Sequence, residues 1–214
     1  MSKPAPNPSR SDDARPSGAG ADLLRIVRIN EEIKSVVSVA FKINIMAMNA
    51  IFLAKRAGNA ALGFGVLSNE LRVFSHNLRA SMEALTKLIH RSVTEVSVLL
   101  QDQRFNRLLD STASQCGDHP RLKKVMDARQ RDAELHNEKL SALRRELRLA
   151  IESAFQLVEL GGVLAKSAKI EAAYGQNFAA SLTQVSGEFD GIVEEIRVSL
   201  ESLRKSAFFS RSSA

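Results

Sequence analysis

Apolar residues recur along most of the chain at alternating steps of four and three. The first such series is Ile29, Ile33, Val36, Ala40, Ile43, Ala47, Ala50, Ala54 and Ala57. A seven-residue period keeps one stripe of a helix facing its neighbours, as in coiled coils. Further series begin at Phe64, Leu140 and Phe178. The pattern therefore predicts four amphipathic helices.

Turn-forming residues separate these series. Gly58 and Asn59 suit a helix end, because both tolerate a left-handed backbone. The segment 117–120 combines a glycine, an acidic cap and a proline that starts the next helix, and 174–177 forms a third turn. We therefore expect helices over 21–58, 62–114, 120–174 and 177–207. Helices this long need tertiary packing, which predicts an all-α fold, a long antiparallel coiled-coil four-helix bundle made of two tandem hairpins.

Two adjacent glycines, Gly161 and Gly162, interrupt the third predicted helix. Each costs about 1 kcal/mol relative to alanine inside a helix. They indicate a kink, a close helix contact or a helix end, and we predict a continuous helix because of an internal repeat.

The repeat relates the two halves of the chain by a shift of 118 residues. The shift pairs Ala47 with Ala165, Ala50 with Ala168, Ala54 with Ala172, Asn59 with Asn177, Ser68 with Ser186 and Glu70 with Glu188. The alternative is that any two alanine-rich heptad segments align this well. A genuine duplication predicts two like hairpins whose turns, at 58–62 and 174–177, lie at one end, while pairing of two copies in a homodimer stays open.

Composition divides the chain and limits its function. We expect disordered tails over 1–20 and 208–214, since the first is rich in proline and poor in large apolar groups. The hairpins are expected over 21–114 and 120–207. Cys116 is the only cysteine and no uninterrupted run of 18 apolar residues occurs, so we expect a cytoplasmic protein without a membrane span.

The chain offers little basis for catalysis or nucleic-acid binding. The formal net charge is +6, but basic and acidic groups alternate across 121–148, as on a solvated helix surface. The four histidines occur in no metal-binding spacing. Phosphate-binding loops and nucleophile–base motifs are absent from the sequence. We therefore expect no enzyme activity, no metal, no cofactor and no nucleic-acid partner.

Residues 41–79 read FKINIMAMNAIFLAKRAGNAALGFGVLSNELRVFSHNLR. This segment resembles the tip of the cytoplasmic signalling hairpin of methyl-accepting chemotaxis proteins, and a weaker copy spans about 160–205. The matching positions are Phe41, Asn44, Ile45, Ala47, Asn49, Ala50, Ala54, Arg56, Ala57, Gly58, Gly63, Phe64, Val66, Glu70 and Arg72. They alternate between apolar packing positions and polar ones, without an insertion.

The resemblance implies partners and contact residues. Family receptors are homodimers whose two hairpins form one four-helix bundle, so the resemblance implies that two hairpins in one chain form a single-chain pseudo-dimer. The receptor tips dock a CheA-type histidine kinase and a CheW-type adaptor, and they contact other chemoreceptors. Carried over by position, the adaptor and kinase side comprises Ile45, Met48, Asn49 and Val66. The receptor–receptor side comprises Phe41, Phe52, Leu53 and Arg56. The alternative is that these residues are ordinary core of a helical bundle.

The segment also departs from the family pattern. Leu53 and Asn59 replace glutamates, and Lys55 replaces an alanine beside Arg56. Like charges at the tip oppose self-association. Methylation sites have only a partial match at Glu31–Glu32, which we interpret as a solvated face. The resemblance thus implies a chemoreceptor-like protein that docks to kinase and adaptor or joins receptor arrays as a modulator. The alternative is a scaffold or regulator that no longer couples to the kinase.

Overall fold

The computed structural model describes residues 19–116 and 120–205, with side chains over 20–115 and 120–205. Its elements are α1 (Ala19–Ala57), α2 (Leu62–Cys116), α3 (Pro120–Ala173) and α4 (Ala179–Arg204). Short 3-10 turns occupy Gly58–Ala61 and Gln176–Phe178. These residues include no β-strand, and the predicted all-α class is confirmed.

The helix boundaries lie within a few residues of the predicted ones. The predicted tails 1–20 and 208–214 lie outside the described residues, except that Ala19 and Gly20 already belong to α1. Helix α2, with 55 residues, is about 80 Å long at 1.5 Å per residue.

The helices pack side by side. Helix α1 packs against α2 and α4, and α3 packs against the same two helices. The Ser75 hydroxyl of α2 donates a 2.8 Å hydrogen bond to the Ala40 carbonyl of α1. Along α2 and α3, Arg91 pairs with Glu146 and the later Asp102 pairs with the earlier Arg129, the order of an antiparallel pair.

The apolar series form the interior. All members of the first series except Ala57 are buried, and Ala57 is half-buried against the same core. Their burial explains why the chain folds as packed helices, since each buried valine, leucine or isoleucine side chain contributes roughly 1.5–3 kcal/mol of transfer free energy.

The two tip turns lie at the same end of the helices and have the same backbone form. Gly58 and Gln176 both adopt positive φ, at 64° and 48°, and they are separated by the repeat distance. Gly63, after the first turn, lies against Glu171, before the second. Ser68 and Ser186, also one repeat apart, are both completely buried.

Helix α3 runs through both central glycines without a break, as predicted. A Cβ built on Gly161 would lie 2.6 Å from Cζ of Phe74, whereas one on Gly162 meets nothing within 4 Å. Gly161 therefore allows α2 and α3 to approach closely and marks a helix contact, and neither glycine marks a helix end.

Helices α2 and α3 continue beyond the other two as a two-helix extension, which the sequence analysis did not foresee. At its base Asp22 of α1 pairs with Arg144 of α3 at 2.6 Å, and Arg204 of α4 lies beside Glu152 at 3.9 Å. None of the described side chains over 100–115 and 120–139 is fully buried. The seam between the two helices holds polar groups there, among them Asp102 paired with Arg129 at 3.3 Å.

One helical stretch passes a composition test for a membrane span. An 18-residue window between Gly20 and Gln115 has mean hydropathy 1.8, and 33% of that window is buried inside the protein. Core helices of soluble proteins pass the same test. The absence of a membrane span therefore stays a prediction.

Candidate functional site

An apolar stripe faces solvent on α1. It consists of Phe41, Ile45, Met48 and Phe52, whose steps of four, three and four place them on one helix face. Ile45 is 41% exposed and Phe52 58% exposed. The buried seam of α1 runs along Ile43, Ala47 and Ala50 instead. Helix α1 thus has a second heptad series that the fold leaves uncovered.

A concavity of about 510 Å³ lies between α1 and α2 beside the first turn. We call it the tip groove; its lining residues are Ile51, Ala54, Lys55, Gly58, Asn59, Ala61, Leu62, Gly65, Val66 and Asn69. Leu62 and Val66 are 65% and 62% exposed. Among these ten residues, all described, Lys55 carries the only charge.

Small residues in the groove allow α1 and α2 to approach each other closely. Gly65 of α2 faces Ala54 of α1, and a Cβ on Gly65 would lie 3.3 Å from that of Ala54. Gly65 and Ala54 add little side-chain bulk to the groove, which the larger Ile51 and Val66 also line. The groove is an apolar surface with a cationic rim, suited to packing against another protein.

The structure mixes the two sets of contact residues inferred from the resemblance. Ile45 and Met48 of the docking set share the apolar stripe with Phe41 and Phe52 of the receptor–receptor set. Val66 lies in the tip groove. The remaining members flank the stripe: Asn49 and Arg56 are exposed, and Leu53 is half-buried against the core.

The exposure of these residues bears on the alternative that they form core. Ile45, Met48, Asn49 and Val66 are all exposed, as are Phe41, Phe52 and Arg56. Their contact roles stay predictions, but they are available for contacts. Sequence reasoning missed Ile51 and Leu62, which line the groove. Ile51 precedes Lys55 by four residues and Leu62 precedes Val66 by four, so each pair lies on one helix face. This spacing could have indicated a shared surface beside the turn.

The second hairpin has a charged concavity at the place of the apolar stripe, not of the tip groove: its residues Glu159, Val163 and Lys166 lie 118 residues after three members of the stripe. A concavity of about 350 Å³ between α3 and α4 is lined by Val158, Glu159, Gly162, Val163, Lys166, Asp190, Val193, Glu194 and Arg197. Arg197 donates hydrogen bonds of 2.8 and 2.6 Å to the Glu194 carboxylate. These bonds lower the pKa of Glu194 and raise that of Arg197. We call this concavity the charged groove.

The three described histidines form no cluster. His76 and His90 are exposed on α2, His136 lies 2.7 Å from the Glu95 carboxylate, and His119 lies outside the described residues. Within 19–116 and 120–205, no group of three or more His, Cys, Asp or Glu side chains is arranged to hold a metal ion.

Comparison with known proteins shows similarity to methyl-accepting chemotaxis proteins. PctB of Pseudomonas aeruginosa is 28% identical over 98 residues, which cover 44% of this chain and 16% of that receptor. CtpM of the same organism is 32% identical over 87 residues, or 37% of this chain and 15% of the relative. HlyB of Vibrio cholerae is 33% identical over 67 residues, or 31% and 12%.

These matches confirm the resemblance seen in the sequence: part of this chain is similar to methyl-accepting chemotaxis proteins. The similarity spans about one sixth or less of the length of these relatives. No protein-family model matches the chain.

Proposed function

We propose that this chain is a chemoreceptor-like signalling protein that docks through its first hairpin to chemosensory components. The partners we propose are a CheW-type adaptor, a CheA-type kinase or the hairpin of another chemoreceptor. The observation that carries the proposal is the uncovered apolar stripe beside the tip groove, within the segment that resembles the receptor tip. Exposed contiguous apolar groups of this kind are typical of protein contact surfaces.

The proposed architecture follows from the same resemblance. We infer an antiparallel four-helix bundle in which two hairpins of one chain replace the two subunits of a receptor dimer. Three features that recur after 118 residues support this architecture: the matching buried seams, the positive φ of Gly58 and Gln176, and the burial of Ser68 and Ser186. Since the proposed partners are cytoplasmic, we also propose a cytoplasmic location.

The charge at the tip favours a modulator over an ordinary activator. Lys55 and Arg56 are adjacent and exposed at the end of α1. If several tips of this chain clustered, these side chains would repel one another at short range. The same observation supports the second candidate, a helical scaffold or regulator that has kept the fold without coupling to the kinase.

A binding titration separates the two candidates. The full chain is titrated with the purified CheW-type adaptor of its host bacterium, alongside Val66→Glu and the control Val198→Glu. Both valines are exposed, at 62% and 55%, but Val198 lies on α4 outside the tip groove. Placing a carboxylate where an apolar contact forms removes roughly 1.5–3 kcal/mol of burial free energy, about a tenfold to hundredfold loss of affinity.

The proposal predicts that Val66→Glu loses this affinity while Val198→Glu binds like the wild-type chain. Circular dichroism of both variants checks that the helices persist. If the wild-type chain does not bind the adaptor, the kinase or a receptor hairpin, the docking function is refuted and the scaffold is favoured.

A further inference from the structure

The two hairpins present unlike surfaces at equivalent positions. The counterparts of the apolar stripe, 118 residues later, are Glu159, Val163, Lys166 and Ile170. The large apolar residues of the tip groove, Ile51, Leu62 and Val66, correspond to Lys169, Ala180 and Gln184. The second hairpin has thus lost half of the stripe and all three large apolar groups of the groove.

The charge balance reverses between the same two regions. Residues 41–73 carry four basic side chains and one acidic side chain, whereas residues 159–191 carry two basic and four acidic ones. In the charged groove, Glu194 is engaged by Arg197, whose Nη2 lies 2.6 Å from the carboxylate. A partner with carboxylates beside its apolar contact therefore meets net positive charge on the first hairpin and net negative charge on the second.

We infer, on the basis of the proposed function, that each chain has one docking surface, formed by the apolar stripe and tip groove. This surface accepts a protein partner that presents an apolar knob bordered by carboxylates. The apolar walls of the groove supply the contact area, and Lys55 at its rim supplies the charge that a carboxylate complements. Because the equivalent surface of the second hairpin differs in this way, that hairpin serves to complete the core and does not dock the partner.

One docking surface per chain has a functional consequence. A chain with two equal docking surfaces can bridge two partners, whereas a chain with one occupies a single partner without bridging. Such a protein ends a growing assembly instead of extending it, which is the behaviour expected of a modulator.

The test is calorimetric titration of the full chain with the purified CheW-type adaptor, comparing Ile45→Glu with Val163→Glu. These two residues are one repeat apart and both exposed, at 41% and 61%, and circular dichroism of both variants checks that the helices persist. We expect one adaptor per chain, about a tenfold or greater loss of affinity for Ile45→Glu, and wild-type affinity for Val163→Glu. Lys55→Glu should also weaken binding, and added salt should weaken the wild-type complex.

Each outcome decides a separate point. Two adaptors per chain, or an equal loss of affinity in Val163→Glu and Ile45→Glu, overturns the single docking surface and leaves the proposed function intact. Unchanged affinity in Lys55→Glu overturns the acidic character of the partner surface. No binding of the adaptor by the wild-type chain overturns this inference, and the proposed function is refuted with it if the kinase and a receptor hairpin also fail to bind.

Discussion

The adjacent glycines of α3 provide a stringent test of how α2 and α3 pack. We expect Gly162→Ala to stabilise the protein and Gly161→Ala to leave its stability unchanged or lower it, although the two changes are chemically identical. Each replaces a glycine in a continuous helix, so each gains about 1 kcal/mol of helix propensity. The difference comes from what the new methyl group meets.

At Gly162 the methyl group meets nothing within 4 Å, so the full propensity gain of about 1 kcal/mol should appear. At Gly161 it would lie 2.6, 2.7 and 3.0 Å from three ring carbons of Phe74. That ring is only 2% exposed and cannot move freely. Overpacking of this kind costs roughly 1–3 kcal/mol. The net effect at Gly161 should therefore range from about neutral to a loss of about 2 kcal/mol.

Urea denaturation followed by circular dichroism measures both changes in the free energy of unfolding. Phe74→Leu, combined with Gly161→Ala, supplies the control, because a smaller side chain should relieve the clash and make the double variant more stable than additivity predicts. Equal stabilisation by Gly161→Ala and Gly162→Ala would refute the close contact between α3 and Phe74.

Two further predictions concern the turns of both hairpins and the ion pair between Glu194 and Arg197. Gly58→Ala should lower the free energy of unfolding by about 1 kcal/mol, and Gln176→Gly should leave it equal or higher, because both positions have positive φ. Chemical denaturation measures both changes. Stabilisation by Gly58→Ala would contradict the turn geometry. Arg197→Gln should raise the pKa of Glu194 toward its usual range, measured by NMR titration, because hydrogen bonds from Arg197 lower it. Since the folded-state pKa of Glu194 is lowered, its contribution to stability is present above the unfolded-state pKa and is lost as pH falls through the folded-state pKa. An unchanged pKa of Glu194 would contradict the pairing.

The fold was predictable because a seven-residue apolar period constrains both the helix and its buried face. The seam through Ile43, Ala47 and Ala50 is buried as expected, and Gly58 ends its helix region with positive φ. The two-helix extension was missed because its inward-facing positions keep the seven-residue spacing but are partly occupied by polar residues. Asp102 and Arg129 occupy the seam there and pair across it.

The candidate site was predictable only in part. Resemblance to the receptor tip selected Ile45, Met48 and Val66, and the structure leaves all three exposed. Ile51 and Leu62 were missed because a groove depends on how two helices rotate against each other, which a single helix pattern does not specify. The contrast between the hairpins was already visible in the repeat, where Met48 corresponds to Lys166, but its meaning depends on both positions facing outward.

Hydrogen exchange followed by mass spectrometry, on the full chain with and without the CheW-type adaptor, tests the central claim most directly. The account predicts slower amide exchange over residues 41–73 in the complex and unchanged exchange over 159–191. Exchange that is unchanged over 41–73 while the adaptor is bound would contradict docking through the first hairpin. Equal protection of both regions would contradict the single docking surface.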